Sequence, residues 1–397
     1  MNKQTRGNLA EWFMIALCTL TLVFFILLFA LSFAAKDLIG SRDFTVYWAT
    51  GKLLVQHSNP YDPHLLGIIE RNAGLHPPEE AMFMRNPPWC LPITWPLGLL
   101  PFYPASLLWG TCLFACFLLS LYLLRNLYGN GHSKRYLCGF LFAPALICMI
   151  AGQTSLFLLL GLTLFLRNSR SHPFWAGSAL LLCTFKPHVF IPFALTLLLW
   201  VLVRKQFKII FGFLASFAFF AALTTLMDPR AWSEYMQLLH SSGQGWNNIP
   251  CIGFYFRTCI PPHALWMQYV PTLLGCAWSL HFFWKRRNTW NWQQDAHLPV
   301  LISLLVAPYT WIFDQSIALP AMIYAAYKAP DRRVALQLPT INALLSVETF
   351  CFRSKLIFAA TLWTIPAWIA WYLIVMHLHQ KNASNPVPLS SEQSETA

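Results

Sequence analysis

Charge is scarce in this sequence. Asp, Glu, Lys and Arg make up 11% of its 397 residues, where a soluble domain carries about a quarter. Acids are the scarcer sign, 15 against 27 bases. Neither a Walker-type phosphate loop nor a dinucleotide-binding glycine pattern occurs. The 12 histidines form no H-E-x-x-H pair, and no zinc-type Cys/His spacing appears. No cofactor and no metal site are therefore expected. Most of the 11 cysteines, Cys112, Cys116, Cys148 and Cys183 among them, sit inside apolar runs. There a free thiol behaves as a small hydrophobe. Cys251 and Cys259 share one polar loop, which leaves open both free thiols and a pair formed in an oxidising compartment.

What the chain has in abundance is apolar length. Hydrophobic residues make up 57% of it, and runs of about 20 apolar residues can cross a bilayer as helices. Backbone groups in lipid must be satisfied internally, so the choice is helix or closed barrel. The runs are continuous rather than alternating, which favours helix. They fall at 12–35, 104–124, 136–151, 154–166, 173–185, 187–203, 207–227, 264–284, 297–308, 315–327, 334–349 and 356–377. The reading is an all-α polytopic membrane protein with about twelve transmembrane or re-entrant helices. The runs at 154–166 and 173–185 are short enough to tilt, break or re-enter. The Pro-rich piece from Pro87 to Pro101 suits an interfacial or dipping segment. The first run is too long for the core of a cleaved signal peptide, about 7–15 residues, and reads as an uncleaved helix. One membrane domain over 1–379 and a disordered polar tail over 380–397 are expected.

The net charge of +12 follows the membrane rather than a nucleic acid. Lys and Arg cluster in alternate loops: Arg125 to Arg135, Arg167 and Arg170, Arg204 to Lys208, Lys285 to Arg287, Lys328 to Arg333, and Lys381. The N-terminus is basic as well. Under the positive-inside rule these segments and both termini are cytoplasmic. Arg353 and Lys355 are the exception. The remaining loops are then extracytoplasmic, and they hold the unusual residues. They are Ser41 to Trp89, "AGQTS" at 151–155, "FKPH" at 185–188, Asp228 to Pro262, and "APYTWIFDQ" at 307–315. One composite site on the outer face is expected.

Asp43 stands just beyond the first run, beside Phe44, Tyr47 and Trp48. It reads either as an interfacial carboxylate paired with Arg42 or Lys52, or as a general base against an apolar wall. "NPYDP" at 59–63 is a turn in which Asn59 and Asp62 flank Pro60 and Tyr61. It serves either as a plain turn or as a shaper of a sugar site. Lys186 in "FKPH" lies between two apolar runs, where an ammonium needs a partner or snorkels to the interface. Pro187 starts a new helix after it, with His188 next, and a helix N-terminus suits a phosphate. Gln153 sits in a tight turn between two helices, and Asp314 lies beside Trp311 in apolar surroundings. Asp314 is a second functional candidate, or a partner for Arg257, Arg353 or Lys355.

Several of these stretches resemble one family. "RDFTVYWATGKLLVQHSNPYDP" is similar to the D-F-x-x-Y … P-Y-D opening of glycosyltransferase family 87, whose members include polyprenyl-phosphate-mannose-dependent mannosyltransferases. "RNPPWCLPITWPLGLLP" resembles its Y-P-P … P-L-x-x-L-P segment, with Asn86 where Tyr is usual. "AGQTSLFLLLGL", "TFKPHVFIPFAL" and "APYTWIFDQSIALP" resemble its G-Q, K-P and S-P-x-x-W segments. The order matches across residues 40 to 320. Phe313 and Asp314 stand where many members carry His.

The resemblance implies a GT-C fold and a metal-free inverting transfer on the extracytoplasmic face. It implies a polyprenyl-phosphate sugar as donor, with mannose as the hexose, and an envelope glycan or glycolipid as acceptor. The family's catalytic Asp maps to Asp43. Lys186 and His188 would face the donor phosphate with Arg42 and Gln153 nearby, and Tyr47, Trp48, Tyr61, Asp62, Trp311 and Asp314 would line the substrates. Two other readings stay open. A transporter or flippase places its charges near the midplane on broken helices, and a non-catalytic envelope-assembly protein keeps the fold without the chemistry.

Overall fold

The computed structural model describes residues 42–73, 83–129, 134–241, 251–351 and 361–384, with Val23 and Ile249 besides. The apolar run at 12–35, the cations Arg353 and Lys355, and the chain after Ser384 lie outside them. Every regular element among the described residues is helical.

Helix α1, Arg42–Val55, has Asp43 in its first turn and Lys52 in its last. Those signs suit the positive N-terminal and negative C-terminal ends of the helix dipole. Asn59 then accepts the Tyr61 backbone N–H at 2.8 Å, and Asp62 accepts those of His64 and Leu65 at 2.8 and 3.2 Å. "NPYDP" is thus a side-chain-closed turn that runs into an N-cap. Pro63 at the first helical position starts α2, Pro63–Asn72. The Pro-rich segment forms a 3-10 turn, Pro88–Cys90, and α3, Leu91–Gly98. It packs into the body against α1. A Cβ on Gly51 would run into the Thr94 carbonyl, and one on Gly98 into the Gly51 carbonyl. Two glycines therefore let the two backbones touch.

The chain then passes back and forth. Helix α4 is Phe102–Tyr128, α5 Ala143–Ala151, α6 Ser155–Asn168, α7 Pro173–Cys183, α8 Ile191–Arg204 and α9 Phe207–Met227. Beyond the loop helices Ala231–Ser241 and Ile252–Cys259 come Val270–Arg286, His297–Val306, Leu319–Lys328, Arg332–Cys351 and Thr364–Ser384. The last one carries helix past residue 380, where the sequence reading starts its polar tail. Helix α9 buries only Ile209, Gly212 and Thr224. Phe211 is 62% and Leu226 82% exposed. A surface this apolar is at home in lipid, not water.

The count of twelve spans is not reproduced. Among the described residues three helices are long and apolar enough to cross a membrane, namely α4, Pro187–Arg204 and α9, and the bent pair Lys134–Leu141 and α5 would make a fourth. The cause is local. Proline starts or interrupts several runs (Pro173, Pro187, Pro192, Pro320 and Pro339), and short 3-10 turns take up part of their length.

These passes gather the loops at two ends. One end is basic. Arg204 donates to the carbonyls of Arg287 and Asn288, both at 2.8 Å. Arg135 donates to those of Ala326, Tyr327 and Ala329, capping a helix C-terminus. The opposite end joins the unusual loops. Asn86 donates to the Phe185 carbonyl at 3.1 Å, and the Trp89 indole to Thr184 at 3.0 Å. Thr224 bonds to the Pro88 carbonyl, and Arg230 to that of His57. The Cys251 thiol donates to the Pro308 carbonyl. Cys251 and Cys259 are both free thiols, so the open question of their pairing resolves against a disulfide.

Candidate active site

The turn at 151–155 organises this end. Gly152 closes α5 in the left-handed region, φ 69°, where glycine carries no Cβ penalty. A Cβ there would also meet that of Phe44 at 2.7 Å. The Gly152 carbonyl accepts the Trp109 indole N–H at 2.7 Å. The turn is therefore pressed against the residue that follows Asp43.

Two side chains leave this turn in different directions. Gln153 accepts the Tyr47 hydroxyl at 3.2 Å. Burial, and then the nearby Asp43 carboxylate, hold the Tyr47 phenol well above its usual pKa, so it is a neutral donor. Asp43 is partly exposed, one helical turn before Tyr47. Ser155 instead donates to Asp314 Oδ1 at 2.7 Å.

Asp314 is wholly buried. Its Oδ1 also accepts from Lys186 Nζ at 2.7 Å, and its Oδ2 accepts the Trp311 backbone N–H at 3.0 Å. Burial by itself would raise this carboxyl's pKa. The Lys186 ammonium and the Ser155 hydroxyl outweigh it and hold the group below its usual value. Lys186 therefore points inward and does not snorkel. Its Nζ lies 4.5 Å from the Phe313 ring centre and 3.3 Å from Ser155 Oγ. Beside it His188 stacks on Tyr309, with ring centres 3.7 Å apart. His188 Nε2 is buried without a hydrogen-bond partner among the described residues.

The sequence-predicted residues divide accordingly. Asp43, Tyr47, Gln153, Lys186, His188, Trp311 and Asp314 converge at this end of the body. Asp314 pairs with Lys186, not with Arg257, Arg353 or Lys355. Tyr47, Trp48 and Tyr61 are 5%, 5% and 2% exposed, so none offers the open ring face that sugar stacking requires. The Trp48 indole is used on the Leu100 carbonyl and the Tyr61 hydroxyl on that of Asn86. Asp62 is spent on its N-cap. The side chain of Arg42 lies outside the described residues. Trp311 is half-buried and stacks on Phe313, so it is the aromatic of the set with surface left for a ligand.

Sequence reasoning missed Ser155 and Tyr309. Ser155 stood inside the quoted turn, but its partner is 159 positions away, and no local pattern announces such a bond. Tyr309 lay in a quoted motif as one aromatic among several.

Comparison with known proteins adds one finding. No curated protein and no solved structure matches the chain. The model of glycosyltransferase family 87 matches residues 83–308. That stretch is more than half of the chain and includes Asn86, Gln153, Ser155, Lys186 and His188. Asp43 and Asp314 flank it on either side. With its apolar helices and this match, the chain belongs to glycosyltransferase family 87, a family of membrane glycosyltransferases.

Proposed function

We propose that the protein transfers a hexose, mannose by family resemblance, from a polyprenyl-phosphate donor to an envelope glycan or glycolipid. The transfer takes place on the extracytoplasmic face of the membrane, with inversion. The observation that carries this reading is the contrast between the two carboxylates. Asp314 is buried and saturated by Lys186, Ser155 and the Trp311 N–H. Asp43 is partly exposed at the start of α1 and has surface to offer an acceptor. Asp43 takes the proton of the acceptor hydroxyl as that oxygen bonds to the anomeric carbon. The bond from the anomeric carbon to the phosphate oxygen breaks on the opposite face, and its electron pair leaves with the polyprenyl phosphate. That phosphate needs charge stabilisation rather than a proton, and the Lys186 ammonium at this end of the body offers it an N–H donor. A GT-C-like body suits this chemistry, because a lipid-linked donor brings its reacting atoms to the ends of the helices. Gathering of the polar residues at one end, together with family membership, leaves the transport and assembly-protein readings without a supporting observation.

The orientation rests on the basic end facing the cytoplasm. Asn72 and Ser171 are both exposed, one at each end of the body. With the exposed Cys259 replaced by serine, a cysteine at position 72 should react with a membrane-impermeant maleimide on intact cells. One at position 171 should react only after permeabilisation. The reverse pattern would place the site in the cytoplasm and remove the donor's face from the reading.

The donor class has its own test. Purified protein in bilayers is given radiolabelled polyprenyl-phosphate-mannose or GDP-mannose, with extracted membrane glycolipid as acceptor. Label should move to glycolipid from the lipid-linked donor alone, and the new linkage should be opposite in anomeric configuration. Transfer from the nucleotide sugar alone would reject the polyprenyl-phosphate assignment.

A further inference from the structure

Lys186 has a limit as a phosphate ligand. Its ammonium lies 2.7 Å from the buried Asp314 carboxylate, so the pair carries no net charge. A phosphate placed beside it meets an N–H donor but little positive field. A charged leaving group at this depth needs a cation whose charge is not already matched.

The geometry points to Arg85, on the segment tied to the backbone just before Lys186, as the residue that binds the phosphate of the lipid-linked donor, with Lys186 as a neutralised hydrogen-bond donor. This assignment rests on the donor class proposed above. The backbone around Arg85 is tied to the site. Asn86, next in the chain, donates to the carbonyl of Phe185, the residue before Lys186. Trp89 bonds to Thr184 just before it, and Pro87 and Pro88 stiffen the stretch between. The Arg85 guanidinium lies within electrostatic range of Tyr309, whose ring stacks on His188. It rests over the Phe83 ring at 5.7 Å, and its side chain is exposed. It joins no ion pair among the described residues. Arg230 at the same end is engaged elsewhere, shared between Asp228, Glu234 and the His57 carbonyl. An arginine fork also fits two phosphate oxygens at once, which a lysine does not.

The test uses the full-length protein in nanodiscs, with farnesyl phosphate and farnesol as probes that differ only in the phosphate. Wild type should bind the phosphate in preference to the alcohol. Arg85→Gln should weaken farnesyl phosphate about ten- to hundredfold, the range of a lost charge-assisted contact. Farnesol affinity should stay within about twofold of wild type, which also shows that the variant is folded. Arg85→Lys should fall between the two, because it keeps charge and loses the fork. An unchanged phosphate preference in Arg85→Gln would overturn this assignment and leave the donor reading intact. A wild-type protein that does not prefer the phosphate would overturn both.

Discussion

Replacing Lys186 by methionine is expected to destabilise the protein by about 3–5 kcal/mol, the usual consequence of removing one partner of a buried ion pair. Asp314 has no exposure and Lys186 has 12%, so water screens the pair little. With the ammonium gone, Asp314 keeps two hydrogen bonds, from Ser155 and from the Trp311 N–H, but nothing matches its charge. The group must then take up a proton or drag water inward. The double variant Lys186→Met with Asp314→Leu removes both charges and should recover most of the loss, since apolar replacements of buried pairs are often neutral or stabilising. Denaturant unfolding in a mild detergent, followed by helical circular dichroism, separates the two variants. A single variant as stable as its parent would show that the pair is not closed in the folded protein. This coupling also governs how activity is read. Lost turnover in Lys186→Met alone says nothing about phosphate contact. Turnover in the double variant does, and a neutralised lysine in a supporting role predicts a modest loss there.

The sequence made the local features legible and left the distant ones hidden. The turn at "NPYDP" could be read because Asn59 and Asp62 act on their own next neighbours. The tight "AGQTS" turn was visible for a similar reason, since a glycine after an apolar run marks a left-handed helix end. Alternating basic loops predicted which loops share an end, and the hydrogen bonds from Asn86, Trp89 and Arg230 bring those loops together. The Lys186–Asp314 pair joins positions 128 apart, and spacing carries no trace of such a contact. Aromatics beside a polar turn look alike in a sequence whether they face a sugar or the core. Only packing shows that Trp48 and Tyr61 spend their polar atoms on backbone carbonyls. The count of twelve is not confirmed among the described residues, because apolar length is visible in a sequence while a break such as the 3-10 turn before Leu319 is not.

Asp43→Asn carries the largest expected effect on activity. The amide keeps the size and polarity of the carboxylate but takes no proton from the acceptor. General-base catalysis is worth about 10²–10⁴-fold, and turnover should fall by that factor. Stability should change little, because Asp43 is only partly buried at the first turn of α1. The helix-end interaction of a carboxylate in a first turn is worth only about 0.3–1 kcal/mol. Asp314→Asn would behave in the opposite way. It perturbs a saturated buried group, so its first effect should be on folding, with activity following stability.

The account therefore turns on one measurement, the rate of single-turnover sugar transfer by Asp43→Asn in bilayers with donor and acceptor both saturating. Wild type and variant are compared at equal folded protein, and donor affinity is measured on the same samples. The account predicts transfer slowed by about two to four orders of magnitude with donor affinity unchanged. Transfer within a few-fold of wild type would contradict it, and would remove Asp43 as the base around which this site is read.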